Sequence, residues 1–211
     1  MTLRTTERFA IAGPAGALEV VVNAPSHAPC GIALVAHPNP VQGGTLDNKV
    51  AQTLARAFHG LGYASVRFNF RGAGASEGSF DHGIGETDDA HAALDHARGR
   101  FGLRLPIVLA GFSFGCYVQS RLATRVAAQR LVFVGPAVGR FPVGDVPADT
   151  IVVHGEEDDV VPLADVLAWA RPLELPIIVF PGCGHFFHGR LPRLATTITG
   201  ALHGRPAVPG A

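Results

Sequence analysis

The sequence has little charge and no long apolar run. Only 16% of its 211 residues are charged, and 17 basic side chains balance 17 acidic ones, so the formal net charge at pH 7 is zero. Such a chain lacks the excess of positive charge that binds nucleic acids or anionic membranes. No segment approaches the roughly 20 apolar residues that span a bilayer, and the first residues lack the apolar region of a secretion signal. We therefore expect a cytoplasmic protein with no nucleic-acid partner and no membrane insertion.

Cysteine is scarce and follows no pattern. Cys30, Cys116 and Cys183 are an odd number of residues without CxxC spacing. The sequence therefore predicts neither a disulfide framework nor a zinc site, and we expect reduced, mostly buried thiols. Lysine is rarer still, because Lys49 is the only lysine among the 17 basic residues. That preference for arginine is typical of a GC-rich bacterial genome and says nothing about function.

Apolar residues, in contrast, are plentiful. They make up 47% of the chain, which is enough to build a sizeable core. The length fits one domain, which we place at residues 1–204. Residues 205–211, a short segment with two prolines and a glycine, are predicted to form a flexible tail.

Short apolar runs alternate with helical patterns along the chain. After an opening hairpin, strands are predicted at residues 31–37, 64–70, 107–110, 131–134, 151–154 and 176–180, and helices at residues 48–60, 85–97, 114–126, 163–169 and 191–202. This order predicts an α/β fold, a doubly wound and mostly parallel sheet with helices on both faces. Ligands of such sheets bind at the carboxyl ends of the strands. Residues 135–149 are too few to form a cap domain over that end.

One strand is followed by a motif that carries chemistry. Gly111-Phe112-Ser113-Phe114-Gly115 lies between a predicted strand and a predicted helix. In that context G-x-S-x-G places the serine on a sharp, strained turn with its hydroxyl above the sheet. The glycines are required because a Cβ atom there would collide with the strand or the helix. Ser113 is therefore predicted to be a nucleophile, and the alternative is a buried serine in a glycine-rich turn.

A nucleophilic serine needs an imidazole base and a carboxylate that sets its tautomer. For this type of nucleophile the carboxylate comes next in the chain and the histidine last. Four acids at residues 156–159 follow the strand at 151–154, and chemistry alone does not choose among them. We predict Asp158, with Asp159 as the alternative. His154 is expected to pack the loop at the strand end.

The base is predicted on the glycine-rich loop after the last strand. His185 and His188 both lie there, and His185 is preferred because it is nearer the strand end. His188 is expected to begin the next helix or to lie at the rim of the pocket. Neither the acids nor the histidines have the spacing of metal ligands, so we predict no metal site.

An acyl-transfer site also needs two backbone N–H groups directed at the oxyanion. One is predicted to come from Phe114, the residue after the nucleophile. The other is predicted to come from the loop after the strand at 31–37. In that loop Pro38 and Pro40 have no N–H group, so Asn39 between them is the natural donor.

The glycine-rich loop at residues 71–78 invites a different interpretation. It follows a strand, and its glycines partly match a dinucleotide-binding motif. However, Glu77 stands where the third glycine would be, and no helix is predicted to start there. We interpret the loop as structural.

These motifs together resemble a known family, the small capless bacterial α/β hydrolases described as dienelactone-hydrolase-like. The matching segments are residues 37–40, 43–50, 67–86, 109–115, 154–162 and 185–189. The resemblance implies Ser113 as nucleophile, Asp158 as acid, His185 as base, and an oxyanion hole formed by Asn39 and Phe114. It also implies that Arg71 braces the edge of the active site. Dienelactone hydrolases themselves have a cysteine at the position of Ser113, on the turn called the nucleophile elbow. The serine here therefore argues against lactone chemistry of that kind.

The sequence thus predicts a serine carboxylesterase that hydrolyses short-chain esters through an acyl-enzyme, as a monomer or homodimer and without a metal or organic cofactor. Without a cap we expect a shallow, open pocket, which favours short acyl groups. The residues predicted to contact the substrate are Pro40, Phe112, Phe186 and Phe187. Two alternatives stay open: an acyl thioesterase with the same three residues, and a non-catalytic binding protein on the hydrolase fold.

Overall fold

The computed structural model describes residues 5–203. The tail predicted at residues 205–211 lies outside the described part of the chain. The strands are β1 (Thr5–Gly13), β2 (Gly16–Ala24), β3 (Ile32–Ala36), β4 (Ala64–Phe68), β5 (Ile107–Phe112), β6 (Arg130–Val134), β7 (Ile151–Gly155) and β8 (Ile177–Phe180). The helices are α1 (Lys49–Gly60), α2 (Ile84–Phe101), α3 (Phe114–Ala123), α4 (Leu163–Ala170) and α5 (Leu191–His203), with short 3₁₀ turns at Pro40–Gln42 and Arg171–Leu173.

The eight strands form one sheet in the order β1-β2-β4-β3-β5-β6-β7-β8. The hairpin strands β1 and β2 are antiparallel to each other, and β2 is antiparallel to β4. From β4 to β8 every neighbouring pair is parallel. The central strands β3, β4 and β5 are fully buried, which explains why they read as unbroken apolar runs. The predicted fold class is confirmed.

Helices cover both faces of this sheet. The buried side chains of α1 and α5 pack on one face of the sheet, whereas those of α2, α3 and α4 pack on the other. Apolar residues that recur at helical spacing form a buried stripe on each of the first two helices: Val50, Leu54 and Phe58 in α1, and Ala90, Ala93, Leu94 and Ala97 in α2. Burying one large apolar side chain contributes roughly 1.5–3 kcal/mol, so these stripes dock the helices onto the sheet. Within residues 5–203, no helix has the length and apolar character required to cross a membrane.

The parallel strands bring several loops to one edge of the sheet. Ala36, the last residue of β3, pairs with Gly111 in β5, and Gly155, the last of β7, pairs with Phe180, the last of β8. The loops that follow these strands therefore meet above the same edge. The connection from β6 to β7 is described throughout and contains neither a helix nor a strand at residues 135–150. No cap is built from it, as the sequence predicts.

The loop after β4 is held by a partly buried ion pair. The Arg71 guanidinium donates hydrogen bonds of 3.0 and 2.9 Å to the two carboxylate oxygens of Asp89 in α2, a residue that is 1% exposed. A two-point contact of this kind fixes orientation as well as distance. Because α2 begins only at Ile84, no helix starts at the glycines of this loop, in agreement with its interpretation as structural.

Candidate active site

Ser113 lies on a strained turn between β5 and α3. Its backbone angles are φ 55° and ψ −118°, a region that non-glycine residues rarely adopt. The turn is held because the Ser113 N–H group donates a 3.0 Å hydrogen bond to the Val134 carbonyl of β6. A Cβ atom on Gly111 would lie 2.5 Å from the Cys116 nitrogen, and one on Gly115 would collide with the Ala36 carbonyl. Both glycines are therefore required by the close packing of the turn.

Asp158 and His185 form a buried pair beside this turn. The His185 Nδ1 atom lies 2.6 Å from Asp158 Oδ2, and the two residues are 3% and 6% exposed. The other carboxylate oxygen accepts hydrogen bonds from the Val160 N–H group at 2.9 Å and the Val161 N–H group at 2.7 Å. Burial alone would raise the pKa of Asp158, but the hydrogen bonds from His185 and Val161 outweigh it and hold that pKa below its usual range. Asp158 is therefore an ionised acceptor that fixes the proton of His185 on Nδ1.

The His185 ring is fixed by two phenylalanines. Its centroid lies 4.9 Å from the Phe112 ring and 5.2 Å from the Phe186 ring, which packs edge-on at 86°. With Nδ1 committed to Asp158, Nε2 is left with a free lone pair. His185 and Ser113 line the same cavity, whose volume is about 470 Å³. The arrangement provides a hydroxyl and an oriented imidazole at one surface.

The alternatives from the sequence occupy other places. Asp159 also lines the cavity, but within residues 5–203 it makes no hydrogen bond to a histidine. His188 is exposed and borders a neighbouring cavity. His154 is fully buried, with Nε2 2.9 Å from the Val161 carbonyl oxygen and 3.4 Å from Asp158. It packs the loop after β7, as the sequence predicts.

Two backbone N–H groups, that of Asn39 at the cavity and that of Phe114 next to Ser113 in the chain, have no acceptor in the described part of the chain. Phe114 is the first residue of α3, where an N–H group has no partner within the helix. Asn39 precedes the 3₁₀ turn, and its carbonyl oxygen accepts hydrogen bonds from the Gln42 and Gly44 N–H groups. Its side-chain oxygen accepts another from Val41 at 3.0 Å. The acceptors of Asn39 are thus occupied by its own loop, while its N–H group stays available.

His37 fixes this loop, a contribution that the sequence did not reveal. It is fully buried, its Nε2 atom accepts the Phe70 N–H group at 3.0 Å, and its Nδ1 atom lies 2.6 Å from the Pro38 carbonyl oxygen. The ring therefore ties the chain after β3 to the chain after β4, directly before Asn39. Burial lowers the pKa of His37 to about 3, so the ring is neutral and donates from Nδ1. The only feature of the sequence that points to this role is the position of His37 at the end of a predicted apolar strand.

Replacing His37 should change how stability depends on pH. In the unfolded chain an imidazole binds a proton near pH 6.5, whereas folded His37 does so only near pH 3. The unfolding free energy of the wild type should therefore fall with decreasing pH across this window. The His37 contribution to the slope is about 1.4 kcal/mol per pH unit.

Urea unfolding at pH 7, 6 and 5 measures this slope. The His37→Gln variant should lose stability less steeply with acid than the wild type, although it starts from a lower value at pH 7. His27→Gln, at an exposed position, controls for the removal of an imidazole. Parallel slopes for the wild type and His37→Gln would show that this histidine is not a buried neutral group.

Three of the four residues predicted to contact substrate lie elsewhere. Phe186 does line the cavity and is 46% exposed. Phe112 is fully buried and supports the His185 ring from beneath. Phe187 is also fully buried, because its ring packs 5.5 Å from Phe180 in the core. Pro40 begins the 3₁₀ turn and is not part of the cavity wall. Phe112, Phe187 and Pro40 therefore do not line this cavity, whereas Gln42, Arg140 and Val160 line it without having been predicted.

The cysteines are not reactive groups of this site. Cys116 is fully buried and Cys183 is 2% exposed, while Cys30 lies at the surface. Burial raises the pKa of all three thiols, which keeps them protonated. Within residues 5–203, no three metal-ligating side chains form a cluster.

Comparison with known proteins identifies the family of the chain. Residues 41–143 match the family described as serine aminopeptidase, S33. The chain is 37% identical to an α/β serine hydrolase without a lid from Xanthomonas campestris, with a TM-score of 0.88 over 97% of both chains. It is also 37% identical to an α/β serine hydrolase homologue from Coxiella burnetii, with a TM-score of 0.84 over 96% of this chain and 98% of that one.

A more distant relative gives no further information on activity. An uncharacterized protein from Rickettsia prowazekii (strain Madrid E) is 29% identical over 204 residues, which cover 90% of this chain and 86% of that protein. Both solved structures match nearly the whole chain, and the protein from Xanthomonas campestris is described as lacking a lid. The chain therefore belongs to the α/β-hydrolase-fold serine hydrolases that lack a lid.

Proposed function

We propose that this hydrolase is a carboxylesterase that cleaves short-chain esters of small molecules. The observation that carries the proposal is the Asp158–His185 hydrogen bond of 2.6 Å at the cavity that also contains Ser113. In this proposal Ser113 is the nucleophile, His185 the base and Asp158 the acid that orients it. The free N–H groups of Asn39 and Phe114 form the oxyanion hole.

The reaction takes two steps, acylation of Ser113 and hydrolysis of the resulting acyl-enzyme. Ser113 Oγ forms a bond to the acyl carbon as His185 Nε2 takes its proton, and the carbonyl oxygen becomes an oxyanion held by the two N–H groups. The bond from carbon to the alcohol oxygen then breaks, and that oxygen leaves with the proton from His185. Water then attacks the acyl carbon as His185 Nε2 takes its proton, the bond from that carbon to Ser113 Oγ breaks, and Oγ recovers the proton from His185 as the acid leaves. One oxyanion-hole donor typically contributes ~10²–10³ in rate, so the Asn39 loop adds to the rate that the side chains provide.

The open site supports short acyl groups. No cap covers the strand ends, so a long chain would gain little burial from the protein beyond the cavity of about 470 Å³. Each buried methylene contributes only about 0.8 kcal/mol, and that gain ends where the walls end. Activity should therefore rise over the first few carbons and then level off or fall.

Hydrolysis of p-nitrophenyl esters from acetyl to palmitoyl tests this expectation. We expect kcat/KM to peak between acetyl and hexanoyl, because longer chains extend past the cavity into water. A peak at palmitoyl would contradict a short, open acyl site.

The relative kcat/KM values for oxygen esters, thioesters and amides distinguish an esterase from a thioesterase or an aminopeptidase. The same three residues can open an acyl thioester, so acetyl thioesters should be compared with acetyl oxygen esters of similar leaving-group pKa. The amide substrate is alanine p-nitroanilide, chosen because the matching family is named for aminopeptidases. Carboxylesterase activity predicts the highest kcat/KM for the oxygen ester. A clear preference for the thioester or the anilide would overturn the proposal in favour of that activity.

A further inference from the structure

A second cavity lies beside the one that contains Ser113. It has a volume of about 400 Å³ and is formed between the start of α1 and the loop that leads from β8 into α5. Asn48 and Phe186 line both cavities. The two cavities are therefore neighbours that share a wall formed by these two residues.

The second cavity has an apolar wall. Val50, Phe186 and Leu191 supply carbon surface, and the polar side chains His188 and Lys49 are exposed to solvent at its edge. Ligand sites of small molecules typically combine an apolar lining with a few polar groups. The lining fits an alkyl or aryl group better than a charged one.

Phe186 is held in place at the shared wall. The next residue, Phe187, has φ 53° and anchors the loop by packing its ring into the core. The Phe187 N–H group also donates a 3.2 Å hydrogen bond to the Gly184 carbonyl. This anchor leaves the Phe186 ring 46% exposed, edge-on to His185. A large aromatic side chain fixed at the surface beside the predicted base provides a contact surface for a ligand.

The chemistry of the proposed reaction decides which part of an ester reaches this cavity. When the tetrahedral intermediate collapses, the bond between the acyl carbon and the alcohol oxygen breaks, and His185 Nε2 gives its proton to that oxygen. The alcohol portion therefore departs next to the His185 ring, and Phe186 packs on that ring. The acyl oxygen is held on the side of Asn39 and Phe114 instead.

We propose that the second cavity is the subsite for the alcohol portion of the substrate and that it accepts an apolar alkyl or aryl alcohol. Phe186 forms the wall along which that alcohol leaves. The inference rests on the proposed esterase function, since it uses His185 as the proton donor. It adds the part of the substrate that determines specificity and the residues that contact it.

Two series of esters test this assignment. In the first, the acyl group is always acetyl and the alcohol changes from methanol to butanol to 1-naphthol. In the second, the alcohol is always methanol and the acyl group lengthens from acetyl to hexanoyl. All acetates give the same acetyl-enzyme, so differences in kcat/KM along the first series report only on the step in which the alcohol is present.

Leu191→Trp fills the second cavity from its apolar side. We expect the ratio of kcat/KM for 1-naphthyl acetate to that for methyl acetate to fall about 10-fold or more, because bulky alcohols lose their apolar contacts. The ratio of methyl hexanoate to methyl acetate should keep its wild-type value. His188→Trp fills the same cavity from its exposed side without repacking the core, and it should have the same effect if Leu191→Trp does not fold.

Leu103→Trp is the matched control. Leu103 is 77% exposed and lies just before β5, at the opposite edge of the sheet, so both ratios should stay at wild-type values. A change in the acyl ratio instead of the alcohol ratio in the cavity-filling variants would overturn the assignment, because the cavity would then hold the acyl chain. Unchanged ratios in both variants would overturn it as well. If the wild type hydrolysed no ester of either series, the esterase proposal itself would fail, and the subsite with it.

Discussion

Ser113→Ala should lower kcat for a short ester by ~10⁶-fold, close to the loss that removal of a serine nucleophile causes in other hydrolases. The reason is the geometry of the elbow. Ser113 is the residue that the strained turn presents to the cavity, with φ 55° and with the free Phe114 N–H group directly after it. Without Oγ no acyl-enzyme forms, and the oxyanion hole is left to act on water alone.

Ser120→Ala is the appropriate comparison. Ser120 lies on the same helix and is 2% exposed, but its hydroxyl donates to the Tyr117 carbonyl at 2.8 Å and does not line the cavity. Its replacement should leave kcat within a few-fold of the wild type. Initial rates with p-nitrophenyl acetate, and a circular dichroism spectrum for each variant, measure both effects. A Ser113→Ala variant that is folded and still turns over at the wild-type rate would contradict the assignment of the nucleophile.

Asp158→Asn should lower kcat by ~10⁴-fold, whereas Asp159→Asn should change it little. Asp158 Oδ2 accepts the proton of His185 Nδ1 at 2.6 Å, and the Val161 N–H group holds its other oxygen at 2.7 Å. An amide at position 158 is able to present its NH₂ group to Nδ1, which would favour the tautomer with the proton on Nε2. That tautomer has no lone pair on Nε2 to accept the proton of Ser113, so the base is lost while the shape of the site is kept.

Asp159→Asn controls for the loss of one negative charge at the same cavity, since Asp159 also lines it. Steady-state kinetics of both variants, with thermal unfolding to confirm the fold, separate the two carboxylates. A large loss in Asp159→Asn together with a small loss in Asp158→Asn would reverse their roles. Such a result would require the loop after β7 to adopt another conformation when substrate binds.

Most of the fold was predictable because its signals are local. The buried strands are unbroken apolar runs, and the stripes of α1 and α2 recur at helical spacing, so each element could be found from a few neighbouring residues. The residues at which the strands and helices end were harder to predict. The strand predicted to reach residue 70 ends at Phe68, because the Phe70 N–H group bonds to His37 rather than to a neighbouring strand. That partner is 33 residues away in the chain, and no local pattern indicates it.

The residues of the candidate site were predictable to a different degree. Ser113 stands out since the G-x-S-x-G motif is short and its strand–turn–helix context is visible in the sequence. The choice of Asp158 over Asp159 had no chemical basis in the sequence, because adjacent carboxylates have the same chemistry, and only the resemblance supported it. The structure distinguishes them by the Val160 and Val161 N–H groups, which turn one carboxylate toward His185.

The walls of the cavities depend on contacts that are distant in the chain. Two adjacent phenylalanines, Phe186 and Phe187, look alike in the sequence, and only the positive φ of Phe187 sends its ring into the core while Phe186 stays exposed. The second cavity forms where the start of α1 meets the loop after β8, segments that lie more than a hundred residues apart. Patterns of neighbouring residues do not contain this information.

Locating the adduct of a fluorophosphonate probe would test whether Ser113 is an activated nucleophile. The folded wild-type protein is treated with the probe, digested, and mapped by peptide mass spectrometry. The account predicts one phosphonyl group per chain, attached to Ser113, and no adduct in Ser113→Ala. An adduct on a different residue would contradict the assignment of the nucleophile. No adduct on a folded chain would contradict it as well and would favour a binding protein on the hydrolase fold.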